Sequence, residues 1–411
     1  MGAIEFVHKE LIEQRDKGKA VLLVSFELDE ILNVSDRIAV IYEGQIVGEV
    51  LPDQTNDQEL GLMMAGSKKH EQGGQEVSSK IFKTFQSNSL IIPLVSIVLG
   101  ILTGALVMLA GGYNPIDAYL ALLDKVFGSL NGFGETIRAI TPLLFCGLAV
   151  AFAFRAGLFN IGGEGQFMVG MTAATLIGVK LDLPAIIHAP LAVIVGGLAG
   201  GLWAAIAGFL KANRGVNEVI TTIMLNWTAL HLSNYMINTF LLEQGQQRSE
   251  AIHESASASL VWLSDFMGSA RLHWGTLIAV LATVFFHIYL NKTKQGYELR
   301  AVGYNIHAAE YAGMNVKRNI VKAMFISGIF AGLAGAFEVL GVFHYQVISA
   351  ALPGYGFDGI AVALLGMNNP IGVFLSAALF GILNYGASGM SFAADVPPEI
   401  MRVVIGPLSS L

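Results

Sequence analysis

The sequence predicts a polytopic α-helical membrane protein of about eight spans, with a re-entrant segment, a truncated last span and a small α/β leader at the N-terminus. The first supporting observation is composition, because only 13% of the 411 residues are charged, against about 25% in soluble domains. The charges are also unevenly placed: residues 1–80 hold 8 Lys/Arg and 15 Asp/Glu, whereas residues 81–411 hold 16 of each. The formal charge of −7 therefore belongs to the leader, and two regions suited to different solvents are joined.

The second observation is a series of apolar stretches close to the ~20 residues that cross the hydrocarbon core of a bilayer. They predict spans at Leu90–Ala110, Ala139–Phe154, Ile161–Val179, Leu191–Leu210, Val219–Leu242, Trp274–Leu290, Ala323–Val342 and Ile371–Met390. Gly354–Gly366 is too short to span, so we expect a re-entrant or broken helix there, shielded by protein or a cavity. A further span is expected to begin in Ile400–Leu411, where the sequence stops.

The third observation is the distribution of positive charge between the loops. With the N-terminus inside, twelve Lys and Arg residues fall on the inner side and five on the outer side, which favours a cytoplasmic N-terminus. The inner set is Lys80, Lys83, Arg155, Lys211, Arg214, Lys292, Lys294, Arg300, Lys317, Arg318, Lys322 and Arg402, and the outer set is Lys125, Arg138, Lys180, Arg248 and Arg271.

Small residues predict how the spans pack. The pairs Gly196–Gly200, Gly197–Gly201 and Gly328–Gly332 have the spacing that lets helix backbones approach closely in a membrane. The single cysteine, Cys146, excludes an intramolecular disulfide and lies among apolar residues, where we expect an inert, packed thiol.

The leader, residues 1–66, has an α/β pattern. We expect an amphipathic helix at Ile4–Lys17, a buried strand at Ala20–Ser25, a short helix at Glu27–Asn33, and a hairpin of Arg37–Tyr42 with Gln45–Leu51. Residues 67–84 are predicted to be a linker, since they are mostly polar and contain glycine, and residues 85–411 form the transmembrane domain.

The stretch KGKAVLLVSFELDEILNVSDRIAVIYEGQIVGEV in the leader resembles the C-terminal end of the ABC ATPase subunit of nucleoside and simple-sugar importers. The resemblance implies that Phe26 stands where the family has its switch histidine. No phosphate-binding G-x-x-x-x-G-K-[ST] loop, signature sequence or Walker B acid precedes it, so we expect a non-catalytic fragment. A fusion of two neighbouring reading frames is one hypothesis, and a separate start near Met63 or Lys80 would support it.

Four stretches of the membrane region carry a second resemblance: FNIGGEGQ, NEVITTIMLN, GYELRAVGYNIHAAEYAGMNV and GYGFDGIAVALLG. They resemble the permease subunits of ABC importers for nucleosides, guanosine among them, and related sugars. The resemblance implies a translocating subunit in the plasma membrane rather than an enzyme, which moves nucleosides by ATP-driven alternating access, with ribose-like sugars as the runner-up. It also implies an ABC ATPase subunit, a second permease subunit, identical or similar, and an extracellular substrate-binding lipoprotein as partners. No cofactor or metal is expected on this chain, since ATP and Mg²⁺ belong to the ATPase.

The resemblance identifies Gly296–Val316 as the segment that contains the coupling helix, which docks on the ATPase subunit. The residues assigned to this role are Gly303, Asn305, Ala308, Ala309, Glu310, Tyr311, Ala312 and Gly313. From its pattern alone, the same segment is better explained as an ordinary amphipathic helix on the membrane surface, and it is the resemblance that favours the coupling helix.

Polar residues within the spans are candidates for the substrate pathway. Asn160, Glu164 and Gln166 lie beside three glycines, which permit a broken helix whose free peptide groups bind polar substrate atoms. The alternative is that Glu164 holds the helix break together through hydrogen bonds, with Arg155 nearby.

Further candidates lie on two other spans. Asn226, His231 and Asn234 are expected on one broad side of a helix, with Trp227 beside them, an arrangement that suits a nucleobase or a sugar; the alternative is hydrogen bonding between helices.

Glu338 and His344 could line a cavity or form structural pairs. Asp358 is expected to cap its helix rather than to contact substrate.

Other function classes receive less support. A secondary transporter would have coupling-ion carboxylates and inverted repeats, and few such acids and no clear repeat are present. An intramembrane enzyme would need a nucleophile–base pair or an H-E-x-x-H motif, and neither occurs on a predicted span. A non-functional fused fragment stays open as a third alternative.

Overall fold

The structure is a computed structural model that describes residues 3–23, 28–42, 45–52, 55–56, 60, 63 and 91–397. The chain divides into two compact units, Met1–Ser87 and Asn88–Leu411. The predicted linker at residues 67–84, the position of Phe26 and the predicted span in Ile400–Leu411 lie outside the described residues.

The N-terminal unit contains α1 (Ala3–Asp16), α2 (Leu28–Val34) and the antiparallel strands β1 (Ile38–Tyr42) and β2 (Gln45–Val50). These elements lie close to their predicted positions. A small core forms where one face of the hairpin is buried, and its members are Ile38, Val40, Val50, Leu60 and Met63.

The predicted buried strand at Ala20–Ser25 is wrong over its described part. Residues 20–23 are irregular, and Leu22 is 91% exposed. An apolar strand of this kind needs partner strands beside it, and the only described sheet of this unit is the two-stranded β1–β2 hairpin.

The second unit is almost wholly helical over its described residues. Its helices are α3 (Ile91–Ala110), α4 (Pro115–Phe127), α5 (Leu130–Arg155), α6 (Gly163–Lys180), α7 (Ala185–Arg214), α8 (Glu218–Met236), α9 (Val261–Phe266), α10 (Trp274–Lys292), α11 (Lys294–Tyr304), α12 (Ile306–Tyr311), α13 (Val316–Glu338), α14 (Tyr355–Leu365) and α15 (Pro370–Ala394). A π-helical turn extends α8 over Ile237–Leu241, and another extends α13 over Val339–Phe343.

Five helices among the described residues are long and apolar enough to cross a membrane, namely α5, α7, α10, α13 with its π-helical turn, and α15. The prediction of a polytopic helical membrane protein is therefore confirmed. The other three predicted spans coincide with α3, α6 and α8. Helices α6 and α8 carry polar side chains such as Gln166 and Asn226 that lower their hydropathy, and the apolar stretch of α3 with described side chains, Ile97–Ala110, is short.

The structure differs from the prediction at the N-terminal end of α5. Helix α4 was not predicted, and α5 begins at Leu130, well before the expected Ala139. Arg138 consequently lies inside a helix rather than in an outer loop. The helix continues through this charge because Glu135 is paired with it at 2.8 Å, which offsets the cost of burying either group.

Close backbone contacts hold the bundle together. A Cβ atom on Gly200 of α7 would lie 2.6 Å from the carbonyl oxygen of Gly328 on α13, so the predicted close approach of the glycine pairs is confirmed. Helix α5 is central, since residues 143–153 are all buried. The short helix α14 packs on it through Gly359, where a Cβ would lie 2.7 Å from the Cβ of Cys146, a buried free thiol.

Candidate functional site

The turn that leads into α6 is held by a buried amide network. The side chain of Asn160 donates to Gln166 Oε1 at 3.0 Å and to Ser327 Oγ at 2.8 Å, while its Oδ1 accepts from Gln166 Nε2 at 2.9 Å. Asn160 Oδ1 also accepts from the backbone N–H of Gly162 at 2.9 Å. Asn160 and Gln166, which the sequence analysis placed beside the same glycines, are thus in contact. Their side chains are hydrogen-bonded to each other, and Asn160 also binds Ser327 and the backbone of Gly162.

Glu164 joins this turn to the short helix α14. Its Oε1 accepts hydrogen bonds from the backbone N–H groups of Gly356 at 2.8 Å and Phe357 at 3.1 Å, at the start of α14. The N-cap residue of α14, Gly354, has no side chain to do this. The other oxygen, Oε2, is buried and has no hydrogen-bond partner among the described residues. Glu164 is therefore a cap supplied by a different helix.

These contacts bear on two expectations about this region. The N–H groups of Gly356 and Phe357, in the first turn of α14, donate to Glu164, and a cap by Asp358 stays a prediction. Arg155 does not pair with Glu164, since its Nε donates to the carbonyl oxygen of Asn368 at 3.2 Å.

Two asparagines on α8 clamp irregular backbone on either side. Asn226 accepts from the N–H of Gly165 at 2.8 Å and donates to the carbonyl of Ile161 at 3.0 Å. Asn234 donates to the carbonyl of Ser349 at 2.8 Å and accepts from the N–H of the same residue at 3.1 Å. Each side-chain amide therefore binds one backbone N–H and one backbone carbonyl. These backbone groups have no partner within a regular helix, so the asparagines supply their hydrogen bonds.

Trp227 and His231 lie on a different side of α8 from Asn226. Trp227 is 49% exposed and His231 is exposed, whereas Asn226 is buried. Five residues at 3.6 per turn carry His231 about 140° around the axis from Asn226, so the expected single polar side is split into a buried and an exposed part.

A buried ionic network near the N-terminal end of α5 was not predicted as a unit. Glu338 accepts from the hydroxyl of Tyr355 at 3.3 Å and lies 3.7 Å from Arg138. Arg138 in turn pairs with Glu135, which binds Arg271 at 2.9 Å. The network joins α5, α13, α14 and the loop before α10. From the sequence, only the unusual density of charge near Glu135 could have indicated it.

Groups in the segments that adjoin this network, before α10 and after α13, have shifted pKa values. The pKa of Arg271 is raised, because its guanidinium is hydrogen-bonded to Glu135. The pKa of His273, which is buried at the start of α10, is lowered to about 4 by burial and by the positive charge of Arg138. The pKa of His344 is lowered by burial, and its Nε2 lies 3.2 Å from both Ser257 Oγ and Ser259 Oγ. Both imidazoles are consequently neutral near pH 7.

The opposite end of the unit presents a surface formed by α11 and α12. Asn305 caps α12 by accepting from the N–H of Ala308 at 3.0 Å, and Gly303 packs on the backbone of the α5–α6 turn, where a Cβ would meet Ala156 C at 2.7 Å. Tyr311 is 96% exposed, and Ala309 is buried. The other residues assigned to the coupling role, Ala308, Glu310, Ala312 and Gly313, are exposed.

A groove of about 330 Å³ lies beside this surface. Its lining includes Leu158, Lys211, Val302, Tyr304 and His307. The lining mixes apolar side chains with polar ones, among them Lys211 and Asn305.

The membrane unit matches a family of transport proteins. Residues 133–408 match the family described as "Branched-chain amino acid transport system / permease component". The guanosine ABC transporter permease protein NupP of Bacillus subtilis (strain 168) is 52% identical over 316 residues, which cover 77% of this chain and 90% of NupP. The nucleoside ABC transporter permease protein NupB of Lactococcus lactis subsp. cremoris (strain MG1363) is 39% identical over 325 residues, 78% of this chain and 89% of NupB.

The N-terminal region matches a different kind of protein. The guanosine import ATP-binding protein NupO of Bacillus subtilis (strain 168) is 70% identical over 73 residues, which make up 18% of this chain and only 14% of NupO. No solved structure matches the chain. The two units of the chain thus resemble two different subunits of ABC transporters.

Proposed function

Because the chain belongs to the family of branched-chain amino acid transport system permease components, and is a multi-pass membrane permease of an ABC transporter, we propose that it carries nucleosides into the cell by ATP-driven alternating access. The observation that carries this proposal is the 52% identity to a guanosine permease, 90% of whose length is covered. Like other permeases of the family, the chain is a translocating subunit, and ATP hydrolysis resides in a separate subunit.

The surface formed by α11 and α12 is the proposed docking site for the ATPase subunit. Tyr311 projects fully from it, and the fixed contact of Gly303 with the α5–α6 turn ties the surface to the helix break at Asn160. A push on α12 would therefore reach the turn that Glu164 and Asn226 hold. ATP and Mg²⁺ act in the ATPase, and the chain itself binds no cofactor in this proposal.

The pathway residues take two roles in this proposal. Asn160, Glu164, Gln166, Asn226, Asn234 and Glu338 form a framework, because their side chains bind backbone groups, one another or, for Glu338, the side chains of Tyr355 and Arg138. Trp227 and His231 are exposed on α8 and are available to substrate or to a second permease subunit, identical or similar. An extracellular lipoprotein would deliver the substrate to the outer side.

The N-terminus is proposed to lie in the cytoplasm, with α11 and α12 on the same side. The single native cysteine is buried, so an introduced thiol is the accessible one in a labelling experiment. In intact cells, Glu254→Cys on the outer side should react with an impermeant maleimide, and Tyr311→Cys should react only after permeabilisation. The reverse pattern would overturn the orientation.

The transport proposal is tested by co-expressing the chain with its ATPase and lipoprotein partners and measuring uptake of labelled guanosine. Excess uridine, adenosine or ribose serves as competitor, and an ATPase partner without its phosphate-loop lysine is the control. We expect ATP-dependent uptake that nucleosides block and ribose does not. Block by ribose alone would move the substrate class to sugars, and uptake independent of the ATPase would indicate a secondary transporter. No uptake despite membrane insertion and partner binding would indicate a non-functional fused chain.

A further inference from the structure

The short helix α9 turns an apolar side away from the protein. It has six residues and cannot cross a membrane. Val261, Trp262 and Phe266 are exposed, the two aromatic side chains by 70% and 71%, and Asp265 is the fourth exposed residue of the helix. With about 3.6 residues per turn, these four side chains fall within an arc of about 140°. The exposed side of α9 is therefore mostly apolar, with one carboxylate on it.

Both ends of α9 are tied to helices that can span a membrane. At its start, the N–H of Leu260 donates to the carbonyl of Leu272 at 2.9 Å, two residues before α10 begins. Just after its end, Asn131 Nδ2 in the first turn of α5 donates to the carbonyl of Gly268 at 2.8 Å. Helices α5 and α10 are both long and apolar enough to cross a membrane. Helix α9 consequently lies beside the N-terminal ends of two spans.

The depth of α9 follows from its contacts with α5. This helix has 26 residues and rises about 39 Å, against about 30 Å for the hydrocarbon core of a bilayer. Its charge-free part, Ala139–Phe154, rises only about 24 Å, so the core extends a few ångströms beyond Ala139. The segment after α9 contacts α5 at Gly134, where a Cβ would lie 2.5 Å from the Cβ of Ala270, and at Asn131. These positions lie about 7 and 12 Å beyond Ala139, at the level of a headgroup layer about 5–8 Å thick.

Apolar side chains flank α9 on both of these spans. Leu130 and Phe133 in the first turn of α5 are exposed, and so are Trp274 and Leu277 in the first turn of α10. Exposed apolar side chains on a span are suited to contact with lipid. The exposed side of α9 therefore continues the surface that two spans present to the bilayer.

The residue types on α9 match the boundary between water and hydrocarbon. Tryptophan is enriched at the headgroup level of membrane proteins, and an amphipathic helix can lie in the plane of this layer with its apolar side inserted. Asp265 is compatible with the headgroup layer but costly in the hydrocarbon core. We propose that α9 is an interfacial anchor, whose Trp262 and Phe266 side chains insert into the headgroup layer of the lipid bilayer.

The anchor would also steady the ionic network described above. Arg271 follows Phe266 by five residues, and its guanidinium binds Glu135 of α5. An anchored α9 thus fixes, relative to the membrane, the segment that carries Arg271. This inference depends on the membrane spans alone and not on the proposed substrate.

The test measures how deep α9 lies in lipid nanodiscs that contain the full chain. A nitrobenzoxadiazole fluorophore is placed on Val261→Cys, which keeps both aromatic side chains, and the native Cys146 is buried. Quenching is compared for iodide in water, for lipid with a nitroxide on its headgroup, and for lipid with a nitroxide deep in its acyl chain. Glu254→Cys, at an exposed position between α8 and α9, is the reference for water, and Leu198→Cys, on the exposed side of α7 near its middle, is the reference for hydrocarbon.

We expect the headgroup nitroxide to quench position 261 more strongly than either of the other quenchers does. In the same labelled chain, Trp262→Ser with Phe266→Ser should lose most of this quenching and gain quenching by iodide. Asp265→Asn, a change on the same exposed side, should retain the headgroup quenching.

Three results would overturn the anchor. Position 261 could respond to iodide alone, as Glu254→Cys does; protection from iodide by the substrate-binding lipoprotein would then assign the surface to that protein instead. Strongest quenching by the acyl-chain nitroxide would place α9 in the hydrocarbon rather than among the headgroups. Unchanged headgroup quenching after loss of both aromatic side chains would show that they do not hold α9 there. If the label at position 261 prevents folding, Phe266→Cys with Trp262 intact decides between the same outcomes.

Discussion

Replacing Glu164 tests whether a carboxylate on α6 holds the start of α14. Glu164→Ala removes the acceptor of two backbone hydrogen bonds, of 2.8 and 3.1 Å, and leaves the N–H groups of Gly356 and Phe357 without it. A lost helix cap costs about 0.5–2 kcal/mol, and a buried donor left unpaired costs about 1–3 kcal/mol. Since Gly356 is buried, we expect Glu164→Ala to lower the free energy of unfolding by about 3 kcal/mol.

Glu164→Gln is the matched comparison. Its amide oxygen can still accept both hydrogen bonds, and its NH₂ group replaces Oε2, which has no partner among the described residues. We therefore expect a loss of about 1 kcal/mol or less. Glu254→Ala, at an exposed position between α8 and α9, should change the free energy by at most about 0.5 kcal/mol.

The assay is thermal unfolding of the chain purified in detergent, followed by the fraction that remains monodisperse after heating. At about 2–4 °C per kcal/mol for chains of 150–250 residues, Glu164→Ala should lower Tm by about 6–12 °C and Glu164→Gln by much less. Equal losses in the two variants would show that the negative charge matters rather than the hydrogen bonds. No loss in Glu164→Ala would refute the capping role altogether.

Three further predictions follow from other parts of the chain. Gly200→Val should destabilise the chain by about 3 kcal/mol in the same thermal assay, because a Cβ there lies 2.6 Å from the carbonyl oxygen of Gly328, whereas Leu202→Ala on the exposed side of α7 should cost about 1 kcal/mol or less. Tyr311→Ala should reduce ATP-dependent uptake about tenfold with Tm unchanged, since its ring is 96% exposed and a buried aromatic anchor is worth more than about 1 kcal/mol in an interface; unchanged uptake would contradict the docking role. His273 has a folded pKa of about 4, below its ordinary 6.5, so its stabilisation is complete above pH 6.5 and is lost as the pH falls towards 4. The loss reaches about 3 kcal/mol, and His273→Gln should flatten the fall of Tm over that pH range.

The sequence predicted the broad architecture because membrane spans are a local property. A stretch such as Leu191–Leu210 is apolar over the full hydrocarbon thickness, and its neighbours in the fold do not alter that. The close approach of α7 and α13 was likewise predictable from their glycine pairs, since small residues at this spacing are typical of closely packed helices in membranes. The prediction of a strand at Ala20–Ser25 was wrong because a short apolar stretch forms a buried strand only where partner strands lie beside it.

The residues of the candidate site could be predicted from the sequence, but their hydrogen-bond partners could not. Asn160, Glu164 and Gln166 could be singled out because polar residues within spans are costly. Which atoms they bind could not be, since Glu164 meets Gly356, 192 residues further along the chain. The ionic network of Glu135, Arg138 and Glu338 was missed for the same reason.

The sequence by itself determined that residues beyond the leader form a helical membrane unit, where the spans are placed and which family the unit resembles. These properties depend on composition and on short patterns, which each segment carries independently. Only the tertiary structure decided that Glu164 caps α14 and that Asn226 binds the backbone of Ile161 and Gly165. A carboxylate acts as a cap, an ion-pair partner or a ligand according to the donors within about 3 Å of it, and those donors come from segments that only folding brings together.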